Sequence, residues 1–154
     1  MRWDQGRTVV ERMLADQQLQ RVPASREQAD RLIAQARTHL SSAANIRAAD
    51  PPGGYALVYD AARKALTAVL ENQGLRPRTR GGHLAVYDAV RAQLDPPLGK
   101  TLRPFDRMRR QRNDAEYPPS NAPALTATDV REDIPKAAAI LELAERVLDQ
   151  MSPF

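Results

Sequence analysis

Four arginines, an asparagine, two acids and a tyrosine fall within Arg107-Met-Arg-Arg-Gln-Arg-Asn-Asp-Ala-Glu-Tyr-Pro-Pro119, and two prolines then stop the helix that carries them. Guanidinium groups make paired, planar contacts to phosphate and carboxylate oxygens, so anion chemistry is first sought here. Winding residues 98–117 at about 100° per residue places Leu98, Leu102, Phe105, Met108 and Ala115 in one apolar stripe, with Arg112 in its middle. A cation aimed at a core or an interface needs a partner, because an unpaired buried charge is unfavourable. Two partners are open to it. Glu116, four residues on, can neutralise Arg112 within the chain, although Arg before Glu is the weaker order for such a pair. The other partner is a visiting anion, with Asn113 orienting a phosphate or hydroxyl and Arg109 and Arg110 as flanking phosphate contacts.

A second basic segment, Leu75-Arg-Pro-Arg-Thr-Arg-Gly-Gly82, runs into His83 at the start of a helix. Spare N–H groups at a helix N-terminus beside Arg76, Arg78 and Arg80 make an anion site. The alternative is a helix-start histidine that packs or sits in solvent. Were this loop to meet the 112–117 region, in one chain or across a dimer, His83 would add a proton-exchanging group with an ordinary pKa of ~6.5. His39 carries no functional claim. Asp60 and Arg63 read as a surface or inter-helix pair, and Arg131-Glu-Asp133 as a solvated helix start.

The elements that must hold these groups are all helical. A first helix is expected over about residues 4–20, ended by Pro23. A second opens at Ser25, with Gln28 three residues on as in a capping box, and runs to about Ala49. Asp50-Pro-Pro-Gly-Gly54 breaks the chain. The third helix, Tyr55 to Gln73, buries Val58, Ala62, Ala65, Leu66 and Val69, and Gly74 stops it. The fourth covers about His83 to Leu94, Asp95-Pro-Pro97 separates it from a fifth over about Leu98 to Glu116, and a last helix ends near Met151. Ile134, Ala137, Leu141, Ala144, Leu148 and Met151 form a narrow seam along that helix, and Pro135 implies either a kink or a late start capped by Asp133. No strand signal is present. The expected fold is an all-α, up-and-down bundle of five to six helices, with residues 1–22 as a helical extension to a bundle over 23–154.

Composition narrows the function classes. The chain has 154 residues, a formal charge of +4 and 5% aromatics, and only three of its 23 basic residues are lysines. An absence of cysteine excludes disulfides and thiolate metal sites, and two histidines are too few for a histidine zinc site. No metal or cofactor is expected. No apolar run approaches the ~20 residues of a membrane span and no signal-peptide core stands at the N-terminus, so a cytoplasmic location is expected.

Tyr55-Ala-Leu-Val-Tyr-Asp-Ala-Ala-Arg-Lys-Ala-Leu-Thr-Ala-Val-Leu70, then Gly81-Gly-His83, then Arg109-Arg-Gln-Arg-Asn-Asp-Ala-Glu-Tyr117 together resemble HEPN-domain proteins, in particular small actinobacterial-type members with an Arg-Asn-x-x-Glu-Tyr ending. The resemblance covers about residues 25–150. It implies a helical bundle that forms homodimers, often in toxin–antitoxin or phage-defence systems, with RNA or a nucleotide as ligand and a nucleotidyltransferase-type antitoxin as a possible partner. Metal-independent ribonucleases of the family carry an Arg, four variable residues and a His, with a polar residue after the Arg. Those positions match Arg112, Asn113 and residue 117, which is Tyr here.

Tyrosine, with a pKa of ~10, exchanges protons poorly near neutrality, but Tyr117 can stack on a base or donate a hydrogen bond. On an unbroken helix Arg112 and Tyr117 lie about 140° apart, yet Pro118 disfavours the α conformation at Tyr117 and lets it swing toward Arg112. Arg112 can stabilise a phosphoryl transition state in either case. Two other readings stand beside this one. In one, the chain is a non-catalytic interaction domain. In the other it binds DNA through a helix-turn-helix formed by residues 83–94 and 98–116, a poor fit to the long Asp95–Gly99 connection.

Overall fold

Small residues make the third helix the centre of the molecule. In the computed structural model, which describes residues 3–79, 82–119, 121 and 123–154, α3 (Pro51–Gln73) buries Ala61, Ala62, Ala65 and Ala68 completely. Neighbouring helices can therefore approach its backbone closely. α2 (Arg26–Ile46), α4 (Gly82–Leu94), α6 (Pro104–Glu116) and α7 (Ala127–Leu148) all pack against it. α1 (Arg7–Ala15) lies on α4, and α5 (Gly99–Leu102) is a single turn ahead of α6. The architecture is the all-α bundle anticipated from the sequence. Among the described residues no helix is long and apolar enough to cross a membrane.

Several boundaries differ from the sequence reading, each for a local reason. The Asp50–Gly54 segment is not a loop but the start of α3: the Asp50 carboxylate caps the Gly53 N–H at 3.0 Å, and Pro51 and Pro52 occupy first-turn positions that need no N–H donor. The helix expected over 98–116 is two helices, because Pro104 opens α6 after α5 ends at Leu102. Thr126 and Asp129 form a reciprocal capping box, so α7 starts before Pro135 and carries it inside. The Ser25 cap is present as expected, with Oγ accepting from Gln28 N at 3.0 Å.

The first helix is also shorter than expected, because residues 19–21 are extended. β1 (Leu19–Arg21) pairs antiparallel with β2 (Leu75–Pro77), a three-residue ladder too short to leave an alternating pattern in the sequence. Gly74, at φ 80, turns the chain from α3 into β2, where a Cβ would lie 2.7 Å from the Val22 carbonyl oxygen.

Candidate functional site

α6 presents its arginines to two different environments. Arg107 faces α7, where Asp133 is only 3% exposed. The two η nitrogens of Arg107 meet the two Asp133 oxygens at 3.0 and 2.9 Å, and Arg107 Nη1 also donates to Gln111 Oε1 at 3.0 Å. The buried Tyr55 hydroxyl on α3 donates to Asp133 Oδ2 at 2.6 Å. Burial alone would raise the Asp133 pKa, but the hydrogen bonds from Arg107 and Tyr55 outweigh it and hold the carboxyl below the usual range. Asp133 is therefore not the solvated helix-start acid expected from the sequence; it is the buried centre of a clamp joining α3, α6 and α7.

Arg112 is one and a half turns further along α6 and has no such carboxylate. Its Nη2 lies 3.0 Å from Glu116 Oε1, the local pair foreseen from the spacing, and the two side chains are 26% and 43% exposed. Its Nε is buried with no hydrogen-bond partner among the described residues. The guanidinium carbon sits 5.8 Å from the ring centroid of Tyr59, one turn after Tyr55 on α3. A partly exposed i,i+4 pair of this kind contributes under ~1 kcal/mol, and it engages one of the guanidinium's nitrogens.

Tyr59 links this cation to His83. The tyrosine is fully buried, and its hydroxyl lies 2.6 Å from His83 Nδ1. Phe105 and then Tyr87 continue the ring stack, each step 5.4 Å between centroids. Burial pushes the Tyr59 hydroxyl up to about 12. Burial, then the nearby Arg63 and Arg112 cations, push His83 below the usual histidine value, against a smaller opposing pull from Asp60. Arg63 pairs with Asp60 only at 3.5 Å, and its buried Nε has no hydrogen-bond partner among the described residues.

Gly82, His83, Leu84, Arg109 and Asn113 line a shallow cleft of about 360 Å³. Of the residues singled out in the sequence, His83, Arg109 and Asn113 thus share one surface, with Arg112 against the tyrosine behind His83. Of the segment expected to meet α6, Gly82 and His83 lie beside Arg109 and Asn113 within one chain. Arg109 is held by Asp106 through Nε at 3.2 Å and Nη2 at 2.9 Å, and Arg110 reaches the same carboxylate at 3.4 Å while 65% exposed. Arg78 lines a different depression beside the strand pair, and Arg80 lies outside the described residues. Arg76 is engaged by the buried Glu71 at 2.9 Å.

Tyr117 does leave the helix, with φ −129 and ψ 66, as Pro118 requires. It does not turn inward. Its side chain is 80% exposed and lies outside the cleft, and the ring over which Arg112 lies is that of Tyr59.

Residues 29–148 match the family model described as HEPN domain. The chain belongs to the HEPN family. Comparison with curated proteins gives no match. Comparison with solved structures likewise gives none.

Within this HEPN domain the sequence reading missed Tyr59 and underweighted Arg63. Tyr59 sits among the buried positions of α3, where a tyrosine reads as core. Only its hydroxyl, meeting an imidazole from a helix 24 residues later, gives it a polar role. His39 has a comparable α3 partner, Lys64 Nζ at 2.8 Å from Nε2, and burial followed by the Lys64 charge lowers its pKa.

Proposed function

We propose that this HEPN domain binds RNA by gripping a phosphate in the cleft of His83, Arg109 and Asn113, with Arg112 and Arg63 supplying positive charge behind it, as a module of a toxin–antitoxin or phage-defence system. The observation that carries this reading is the incomplete pairing of Arg112 and Arg63 beside a histidine at an open surface. Uncommitted guanidinium donors in a partly desolvated setting favour an anion with several acceptor oxygens. A basic chain with, among the described residues, no Phe, Tyr or Trp lining this cleft suits a backbone phosphate better than a stacked base. Leu84, 45% exposed at the cleft edge, suits the homodimer that the family resemblance implies.

The Arg112–Glu116 pair favours a second reading, in which the domain only binds other proteins and Arg112 is a structural cation. One experiment separates them. Purified protein is mixed with unstructured RNA in EDTA, with Arg112→Ala and His83→Ala as controls, and binding and strand scission are followed together. Salt-sensitive binding that falls about tenfold or more in Arg112→Ala supports the RNA reading. Scission lost in both variants extends it to a metal-independent ribonuclease. Equal binding by wild type and Arg112→Ala, or none at all, assigns the arginine to the fold.

A further inference from the structure

The Tyr59–His83 contact fixes more than the position of a ring. A tyrosine hydroxyl carries one hydrogen, and the Tyr59 hydroxyl is fully buried with His83 Nδ1, at 2.6 Å, as its one acceptor among the described residues. If Nδ1 carried the proton and donated to the tyrosine oxygen, the phenolic hydrogen would be left without an acceptor in the core. Leaving a buried donor unpaired is unfavourable, so the tyrosine donates and Nδ1 accepts. The neutral imidazole then holds its own proton on Nε2, on the side of the ring away from Tyr59.

We infer that Tyr59 is a positioning residue that holds His83 as the neutral Nε2–H tautomer, so that His83 meets a phosphate oxygen as a hydrogen-bond donor rather than as a base. This rests on the RNA-binding reading for its ligand, but the tautomer stands on the contact itself.

The surroundings act in the same direction. Charged groups facing His83 come from two helices: Asp60 and Arg63 on α3, and Arg109 and Arg112 on α6. Three cations against one acid disfavour an imidazolium. Protonation of Nδ1 would in addition turn the Tyr59 hydroxyl from donor to acceptor and strand its hydrogen. Phe105 packs against the Tyr59 ring, and Tyr87 packs against Phe105 in turn. The resting His83 thus offers the cleft an N–H donor, with its Nδ1 lone pair already engaged by Tyr59. It recognises an acceptor-rich dianion or diester, and general-base removal of a 2′-hydroxyl proton by His83 would require the Tyr59 bond to break first.

The experiment is long-range ¹H–¹⁵N NMR of the full chain, wild type and Tyr59→Phe, titrated between pH 5 and 8 with inorganic phosphate or a short RNA as probe. Wild type is expected to show an acceptor-type Nδ1 and a protonated Nε2 throughout the neutral range. Tyr59→Phe, which removes only a hydroxyl, is expected to mix the two tautomers, raise the His83 titration midpoint and weaken the probe about fivefold above pH 7. His83→Gln, whose amide can donate in place of Nε2–H, is expected to retain affinity within about threefold, whereas His83→Ala loses it. A protonated Nδ1 in wild type, or a tautomer and midpoint untouched by Tyr59→Phe, overturns the inference. A correct tautomer in a protein that binds neither probe overturns only the RNA-binding reading.

Discussion

Two tyrosine–arginine pairs lie side by side across the same two helices. Tyr55 and Tyr59 are one turn apart on α3, and Arg107 and Arg112 stand opposite them on α6. At the first pair, α7 delivers Asp133 into the gap, and its two oxygens engage both η nitrogens of Arg107 and the Tyr55 hydroxyl. At the second, no buried acid is supplied among the described residues. Arg112 has an exposed glutamate on one nitrogen, and the Tyr59 hydroxyl turns instead to His83. The same residue types therefore build a structural clamp in one place and an open cationic site in the other. The difference is a single carboxylate and the depth at which it is delivered.

The largest effect that would break this comparison is on stability. Asp133→Ala leaves the buried Tyr55 hydroxyl and the half-buried Arg107 with only Gln111 Oε1 to share, and about 2 kcal/mol should be lost in urea unfolding. Arg112→Ala should change stability by less than about 1 kcal/mol while lowering RNA affinity about tenfold. If Asp133→Ala and Arg112→Ala instead gave equal losses of stability, the division between clamp and site would be wrong.

The comparison sharpens with Glu116→Gln, which removes the acid that pairs with Arg112. RNA should bind about two- to fivefold more tightly at low salt, with the gain shrinking as salt is added. Melting temperature should scarcely move.

The two regions should also respond to acid at different points. Native Asp133 stays ionised to lower pH than in the unfolded chain, so its contribution is complete above the unfolded carboxylate value of about 3.9 and disappears as pH falls through the lower native value. Native His83 resists protonation, so the unfolded chain takes up a proton first and stability erodes as pH falls below about 6.5. A pH series of urea midpoints should therefore show a smaller upper step in His83→Gln, the remainder belonging to His39, whose pKa is lowered as well, and an unchanged lower one. The smallest effect belongs to Tyr117: truncation to Ala should alter both stability and RNA affinity by less than about twofold, because the side chain stands in solvent.

Much of this molecule was legible from residue order. The apolar stripes at helical spacing, the Ser25 cap and the Gly74 stop define helices whose positions the structure repeats. Arg112 was conspicuous because a cation lies within an apolar stripe, and its pairing with Glu116 follows from the four-residue spacing. These are local effects, set by neighbours within a turn or two. Asp133 was misread for the same reason: in sequence it sits in an acidic helix start, and nothing within four residues announces Arg107, 26 residues earlier.

Sequence alone, then, determined the helices, the basic segments and the anomaly at Arg112, because periodicity, capping and charge spacing act over short stretches of chain. Tertiary structure decided which arginine meets a buried acid, that His83 rather than Tyr117 joins the arginine cluster, and that a core tyrosine directs the histidine. Those outcomes depend on how helices far apart in the chain are packed, and on where that packing puts acceptors for buried donors such as the Tyr55 and Tyr59 hydroxyls.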